Sequence, residues 1–162
     1  MTLEELWEKG DKLYEDADFQ GAFSCFQEAA KKGLIKAMYD LGYMYYSGEG
    51  VKKSHKDAKY WLEKAAVNGF VKAQYKLGVL YEQSDEYKDF SMAATWYEEA
   101  ARSGDMYAQC NLGILYYIGL GVEKDKEKSV ALLKASADQG YERASDMLTS
   151  IMYKEEAKKT GL

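Results

Sequence analysis

Apolar residues recur along the chain at helical spacing, and one short pattern returns every 35 or 36 residues. Ala37, Leu41 and Tyr45 lie four residues apart and therefore share one face of a helix. The same positions recur later as Ala73, Leu77 and Tyr81, as Ala108, Leu112 and Tyr116, and as Ala144, Leu148 and Met152. A second apolar stripe, containing Trp61 and Leu62, predicts another helix from Lys56 to Asn68. The repeating unit is thus predicted to be helix–loop–helix.

The glycines follow the same period. One set, Gly33, Gly69, Gly104 and Gly140, is spaced by 36, 35 and 36 residues, and a second set, Gly42, Gly78 and Gly113, by 36 and 35. Twelve of the 14 glycines belong to the pattern, and the chain has no proline. A glycine inside a helix, such as Gly42, predicts close approach by a neighbouring helix, and Asn68-Gly69 predicts a left-handed helix end. Self-similarity at this period is typical of a solenoid.

The repeating segments resemble a known family. The segment AMYDLGYMYYSGEGVKKSHKDAKYWLEKAAVNG, from Ala37 to Gly69, resembles the Sel-one-like repeat, and AQYKLGVLYEQ…WYEEAARSG and AQCNLGILYYIGLGV…ASADQG resemble further copies. The first unit, GDKLYEDADFQGAFSCFQEAA, has a shorter loop and is more similar to a tetratricopeptide repeat.

The resemblance implies an all-α, right-handed α/α superhelical solenoid that acts as a binding scaffold. We expect a single repeat domain over residues 1–162. Its parts are a tetratricopeptide-like first repeat at 3–33, Sel-one-like repeats at 37–69, 73–104 and 108–140, and a C-terminal capping helix at 142–157.

Two units depart from the family pattern. The third has Ser84-Asp85-Glu86-Tyr87 where the others have a glycine-containing turn, which predicts a loop of different shape that a partner could recognise. The fourth has Leu132 at the position of Trp61 and Trp96, which predicts looser packing there.

Composition and charge exclude several classes of protein. With 47% hydrophobic and 14% aromatic residues, the chain is not intrinsically disordered. Twenty-two basic against 27 acidic residues give a net charge of -5, the wrong sign for a nucleic-acid-binding surface. The N-terminus alternates charged and apolar residues, unlike a signal peptide, and no apolar run is long enough to span a bilayer. Because Cys25 and Cys110 are also isolated, we expect a cytoplasmic protein.

Several aromatic side chains of the first helices lie outside the face that packs against the second helices. Tyr39, Tyr43 and Tyr46 lie on a different face from Leu41. In the family's geometry the first helices line a concave groove, and equivalent positions extend this predicted groove. They are Trp7, Asp11 and Tyr14, then Tyr75, Val79 and Glu82, then Cys110, Ile114 and Tyr117, and finally Tyr153. Tyrosine and tryptophan dominate binding hot spots. Alternatively, these tyrosines pack against neighbouring first helices.

The sequence offers little for catalysis. Its one histidine, His55, lies in a predicted loop and is expected to be solvated; no zinc-ligand spacing or Ser-His-Asp arrangement is present. The glycine pairs around Glu49 and Leu120 lack the strand and Lys-Ser/Thr of a phosphate loop and are interpreted as turns. Cys25 is predicted to be a buried apolar residue, whereas Cys110, in the groove, is expected to be accessible to thiol reagents. We expect no catalytic residue, metal or cofactor.

The sequence therefore predicts a non-catalytic adaptor or regulatory scaffold. Its partner is expected to be another protein, a peptide or a domain, bound in the tyrosine-rich groove; neither nucleic acid nor membrane is expected as a partner. The alternative is a bacterial immunity protein that neutralises a basic toxin domain. Some cysteine-rich relatives also bind or hydrolyse β-lactams, but they carry a cysteine pair in each repeat, which is absent here. The oligomeric state stays open, with a monomer favoured.

Overall fold

A computed structural model describes residues 1–160, which form nine α-helices and no strand. They are α1 (Leu3–Glu15), α2 (Phe19–Lys31), α3 (Ile35–Ser47), α4 (His55–Val67), α5 (Val71–Gln83), α6 (Phe90–Arg102), α7 (Met106–Ile118), α8 (Lys126–Ala137) and α9 (Glu142–Thr160). The all-α architecture of four helix pairs and a final helix is confirmed. The expected domain also includes residues 161 and 162, which lie outside the described residues.

Polar side chains cap most helix N-termini. Thr2 and Glu5 form a reciprocal capping box at the start of α1. At five further starts, a side chain accepts hydrogen bonds from backbone N–H groups of the first turn, namely Asp18, Ser54, Asp89, Asp105 and Asp125. These caps explain why each second helix begins where its loop ends, so that His55 is the first residue of α4 and not a loop residue.

Two glycines show why the repeat needs glycine at fixed positions. Gly69 follows α4 with φ of +80°, and Phe70 N–H returns to the Ala65 carbonyl at 3.1 Å, so the left-handed helix end is confirmed. Gly42 lies within α3, where an added Cβ would be 2.9 Å from Leu62 Cγ of α4. The close approach of the two helices of a pair is therefore also confirmed.

The chain divides into two compact units. The first, Met1–Lys88, contains α1 to α5. Its core includes Phe26, Leu41 and Met44, and Trp61 packs against this cluster while remaining partly exposed. Leu41 and Trp61 belong to the apolar stripes predicted for α3 and α4.

The second unit begins at Asp89 and contains α6 to α9. Its core includes Cys110, Leu133 and Ile151. An open hollow of about 310 Å³ lies beside Leu132 and is also lined by Leu112, as expected where a tryptophan is replaced by a leucine. Within residues 1–160, no helix is both long enough and apolar enough to cross a membrane.

Candidate protein-binding face

Side chains on the first helices of the first unit join neighbouring repeats. Trp7 Nε1–H of α1 donates to Asp40 Oδ2 of α3 at 2.6 Å. The Tyr14 hydroxyl donates to Glu49 Oε2, also at 2.6 Å, in the loop after α3. Tyr46 of α3 donates to Gln83 Oε1 of α5 at 3.3 Å. The partners lie 33, 35 and 37 residues apart, about one repeat, so these polar groups hold successive first helices in register.

Aromatic rings and one lysine cover the middle of this surface. The ring centroids of Tyr39 and Tyr43 are 6.4 Å apart, and Tyr39 also lies 5.3 Å from Phe70. Lys76 Nζ of α5 is 5.0 Å from the Tyr43 ring centroid and 5.5 Å from that of Tyr46. Burial lowers the pKa of Lys76, because the ammonium loses hydration among these rings.

A pocket of about 290 Å³ lies between α1 and α3, and we call it the α1–α3 pocket. Four predicted groove residues, Asp11, Tyr14, Tyr39 and Tyr43, line it together with Asp40. Burial is the main cause that raises the pKa of Asp40 to about 6; the hydrogen bond from Trp7 opposes this and the nearby Asp11 adds to it. The pocket thus combines aromatic rings with a carboxylate that is held in a poorly hydrated environment.

The structure brings the predicted residues of the first unit together on three helices. Trp7 and Tyr14 of α1 are half-buried, as are the three tyrosines of α3 and Tyr75 and Glu82 of α5, whereas Asp11 is exposed. Val79 differs, because only 7% of it is exposed, so its side chain belongs to the interior and offers no binding surface. The prediction for Val79 as a contact residue is therefore corrected.

The predicted residues of the second unit serve mainly as core. Cys110 is 0% exposed, and burial raises the pKa of its thiol, so the expectation that thiol reagents reach it was wrong. Ile114 and Tyr117 pack against the cluster around Cys110. Tyr153, on the last helix, is 75% exposed. The aromatic surface is therefore concentrated in the first unit.

His55 is not the solvated loop residue that its sequence context predicted. It is half-buried at the start of α4, its Nδ1 lies 2.9 Å from the Ser84 hydroxyl, and its ring stacks on Tyr46 at 5.8 Å. Ser84, the first residue after α5, is only 2% exposed. The histidine therefore joins α3, α4 and the end of α5, which gives the unusual loop of the third repeat a structural partner.

Sequence reasoning missed Asp40, the most strongly perturbed carboxylate of this surface. Its equivalents in the next two repeats are Lys76 and Asn111. The position is therefore polar on α3, α5 and α7, although the leucine that follows it is buried on each of these helices. Asn111 also bonds to another first helix, because Arg143 donates to its Oδ1 at 3.1 Å. A polar residue at a fixed place beside the packing leucine was the signal that could have identified Asp40.

The family comparison matches the repeats one by one. The model for the Sel1 repeat matches residues 8–34, 35–70, 71–105 and 107–141. The first of these segments is the unit whose short loop resembles a tetratricopeptide repeat. A search of curated proteins gives no match.

Solved structures show the same fold. A Sel1 repeat protein from Oxalobacter formigenes is 31% identical with a TM-score of 0.81, over 91% of this chain and 62% of that one. The protective antigen c5321, present in uropathogenic Escherichia coli strains, is 35% identical with a TM-score of 0.72, over 75% of this chain and 26% of that one. Helicobacter pylori cysteine rich protein B is 25% identical with a TM-score of 0.60, over 76% and 94%. The chain thus covers less than two thirds of the first two structures.

Proposed function

Since the chain belongs to the Sel1 repeat family, whose members are generally protein-interaction scaffolds, we propose that it binds a protein partner on the aromatic surface of α1, α3 and α5. We further propose that it does so as a non-catalytic adaptor or regulatory protein. The observation that carries this proposal is the gathering of tyrosine rings and the α1–α3 pocket on one face of the first unit.

Rigid aromatic side chains support binding for a physical reason. A tyrosine offers a large apolar ring with a polar end and has few rotamers to lose when a partner immobilises it. Here the hydroxyls of Tyr14 and Tyr46 are already held by Glu49 and Gln83, so these rings are ordered before a partner arrives. Preorganisation lowers the entropic cost of association.

The experiment is a pull-down from the native host with the tagged chain of 162 residues, followed by affinity measurement on the identified partner. Tyr43→Ala combined with Tyr46→Ala is expected to weaken binding at least tenfold, because partner contacts are lost, while the helical circular dichroism stays unchanged. Tyr60→Ala is the matched control, since this α4 tyrosine is 51% exposed and lies outside the proposed surface. Equal affinity of the double variant and the wild type, with helicity intact, would falsify the proposal.

The immunity-protein alternative stays a prediction with a separate test. It requires that the reading frame next to this one encode a protein that is toxic when expressed alone. Co-expression with this chain would then restore growth. An adjacent reading frame without toxicity contradicts the immunity role and leaves the adaptor role intact.

A further inference from the structure

The walls of the α1–α3 pocket combine two chemical features. Tyr14, Tyr39 and Tyr43 provide aromatic surface, while Asp11 and Asp40 provide carboxylates from the two facing helices. The volume of about 290 Å³ is enough for one long side chain and too small for a folded element. The pocket therefore suits a single residue of a partner.

Its electrostatics favour a cation. Asp40 is half-buried, and Asp11 disfavours its ionised form further. Lys36 and Lys72 favour the ionised form, but Lys36 is engaged elsewhere, in an ion pair with Glu4 and 3.7 Å from the Trp7 ring centroid. Among the described residues, those that line the pocket include two carboxylates and no cationic side chain, so an incoming positive charge would be attracted there.

We propose that the α1–α3 pocket binds an arginine side chain of the protein partner. This inference rests on the proposed function, because it identifies one residue of that partner. A guanidinium is planar and weakly hydrated, stacks on tyrosine rings and donates two parallel hydrogen bonds to a carboxylate. A lysine ammonium is more strongly hydrated and lacks the planar face, and an acidic side chain would be repelled by both carboxylates.

The first test uses the chain of 162 residues with N-acetyl-L-arginine N-methylamide as the probe, at low ionic strength and pH 7.5. We expect saturable NMR shifts of the Trp7 indole N–H and of the Asp11 and Tyr43 amides, with a Kd in the millimolar range. The corresponding citrulline derivative has nearly the same shape and no charge, and it should bind at least five times more weakly. Equal binding of both probes, or shifts that do not saturate, would overturn the proposal.

The second test uses variants and pH. Asp40→Asn keeps the shape of the side chain and an acceptor for Trp7, and it should weaken binding of the arginine probe at least fivefold; Asp146→Asn, an exposed carboxylate on α9, should not. Wild-type affinity should also fall between pH 7.5 and pH 5 as Asp40 is protonated, with Asp11, Lys36 and Lys72 as the other charged groups around it. Unchanged binding by Asp40→Asn contradicts the arginine site.

The outcomes separate this inference from the proposed function. If the host partner binds through Tyr43 and Tyr46 while the arginine probe does not bind, the pocket proposal fails and the scaffold proposal stands. If the probe binds as expected but partner binding does not depend on Tyr43 and Tyr46, the proposed binding surface is wrong. The pocket then binds arginine, but not the arginine of a protein partner on this face.

Discussion

At the scale of single residues, Asp40 is the most informative side chain of the molecule. A carboxylate that is removed from water without a full counter-charge destabilises the folded state in its ionised form. The hydrogen bond from Trp7 reduces this effect but does not cancel it, since the pKa of Asp40 remains raised to about 6. Groups that reduce stability in this way are common at binding sites, where a ligand supplies the missing interaction.

Asp40→Asn should stabilise the free protein at neutral pH. Because the pKa of Asp40 is higher in the folded chain than the ordinary value of 3.8, its ionisation opposes folding, and wild-type stability falls as pH rises from about 4 through 6. Removal of that charge should raise the free energy of unfolding at pH 7.5 by about 1 to 2 kcal/mol, after allowance for solvent screening. The measurement is urea denaturation of both proteins at pH 7.5 and pH 4.

The stability gain should disappear at pH 4, where Asp40 is protonated in the wild type as well. Asp146→Asn serves as the control and should change stability by less than about 0.5 kcal/mol at either pH, because the side chain is exposed. A wild type more stable than Asp40→Asn at pH 7.5 would show that ionised Asp40 is fully compensated.

At the scale of helices and loops, the sequence periodicity predicted most of the helix boundaries and faces. It predicted the burial and contacts of individual side chains least well. The repeat of Ala37, Leu41 and Tyr45 gave the correct α3 face, and α4 begins only one residue before the predicted Lys56. Burial of Val79 and Cys110 escaped prediction, because repeat equivalence assigns a position to a face without saying what packs on that face. Local sequence also gave no sign that Ser84 would reach His55, a contact between residues 29 positions apart.

Leu132→Trp should fill the hollow of the second unit. In the first unit Trp61 occupies the equivalent position and packs against the core around Leu41, whereas beside Leu132 the space of about 310 Å³ stays open. Burial of the additional apolar surface should raise the free energy of unfolding by about 1 kcal/mol. Thermal and urea denaturation test this.

The reciprocal change provides the control. Trp61→Leu removes contacts with a formed core and should destabilise the protein by about 2 kcal/mol. Loss of stability in Leu132→Trp would show that the hollow has the wrong shape for an indole.

At the scale of the whole molecule, stability in a repeat protein comes from contacts between neighbouring helices and need not be uniform. Leu41 and Leu62 are 0% exposed at the centre of the first unit. The last helix differs: Met152 is 67% exposed, and most residues from 152 to 160 are polar or exposed. A C-terminal capping helix was expected at 142–157, and α9 includes those residues.

Hydrogen exchange should reproduce this contrast. Amides of Leu41, Met44 and Leu62 should exchange through cooperative unfolding, whereas those of residues 154–160 should exchange at least a hundredfold faster through local fraying. Mass spectrometry or NMR at pH 7 measures both. Equal protection along α9 would mean that its last turns are packed in solution.

The loops between helices of a pair also differ in how much their length can change. Gly50, with φ of +68°, lies so close to the Phe19 carbonyl that a Cβ would be 2.2 Å from its oxygen, and Gly121 approaches Phe90 in the same way. Residues added to either turn would push it against the preceding repeat. The third repeat has no such glycine, and Asp85 and Glu86 are exposed. In evolutionary terms, the third repeat can gain or lose residues most easily at Asp85 and Glu86, just beyond Ser84 and its contact with His55, and homologous chains should vary most in length there.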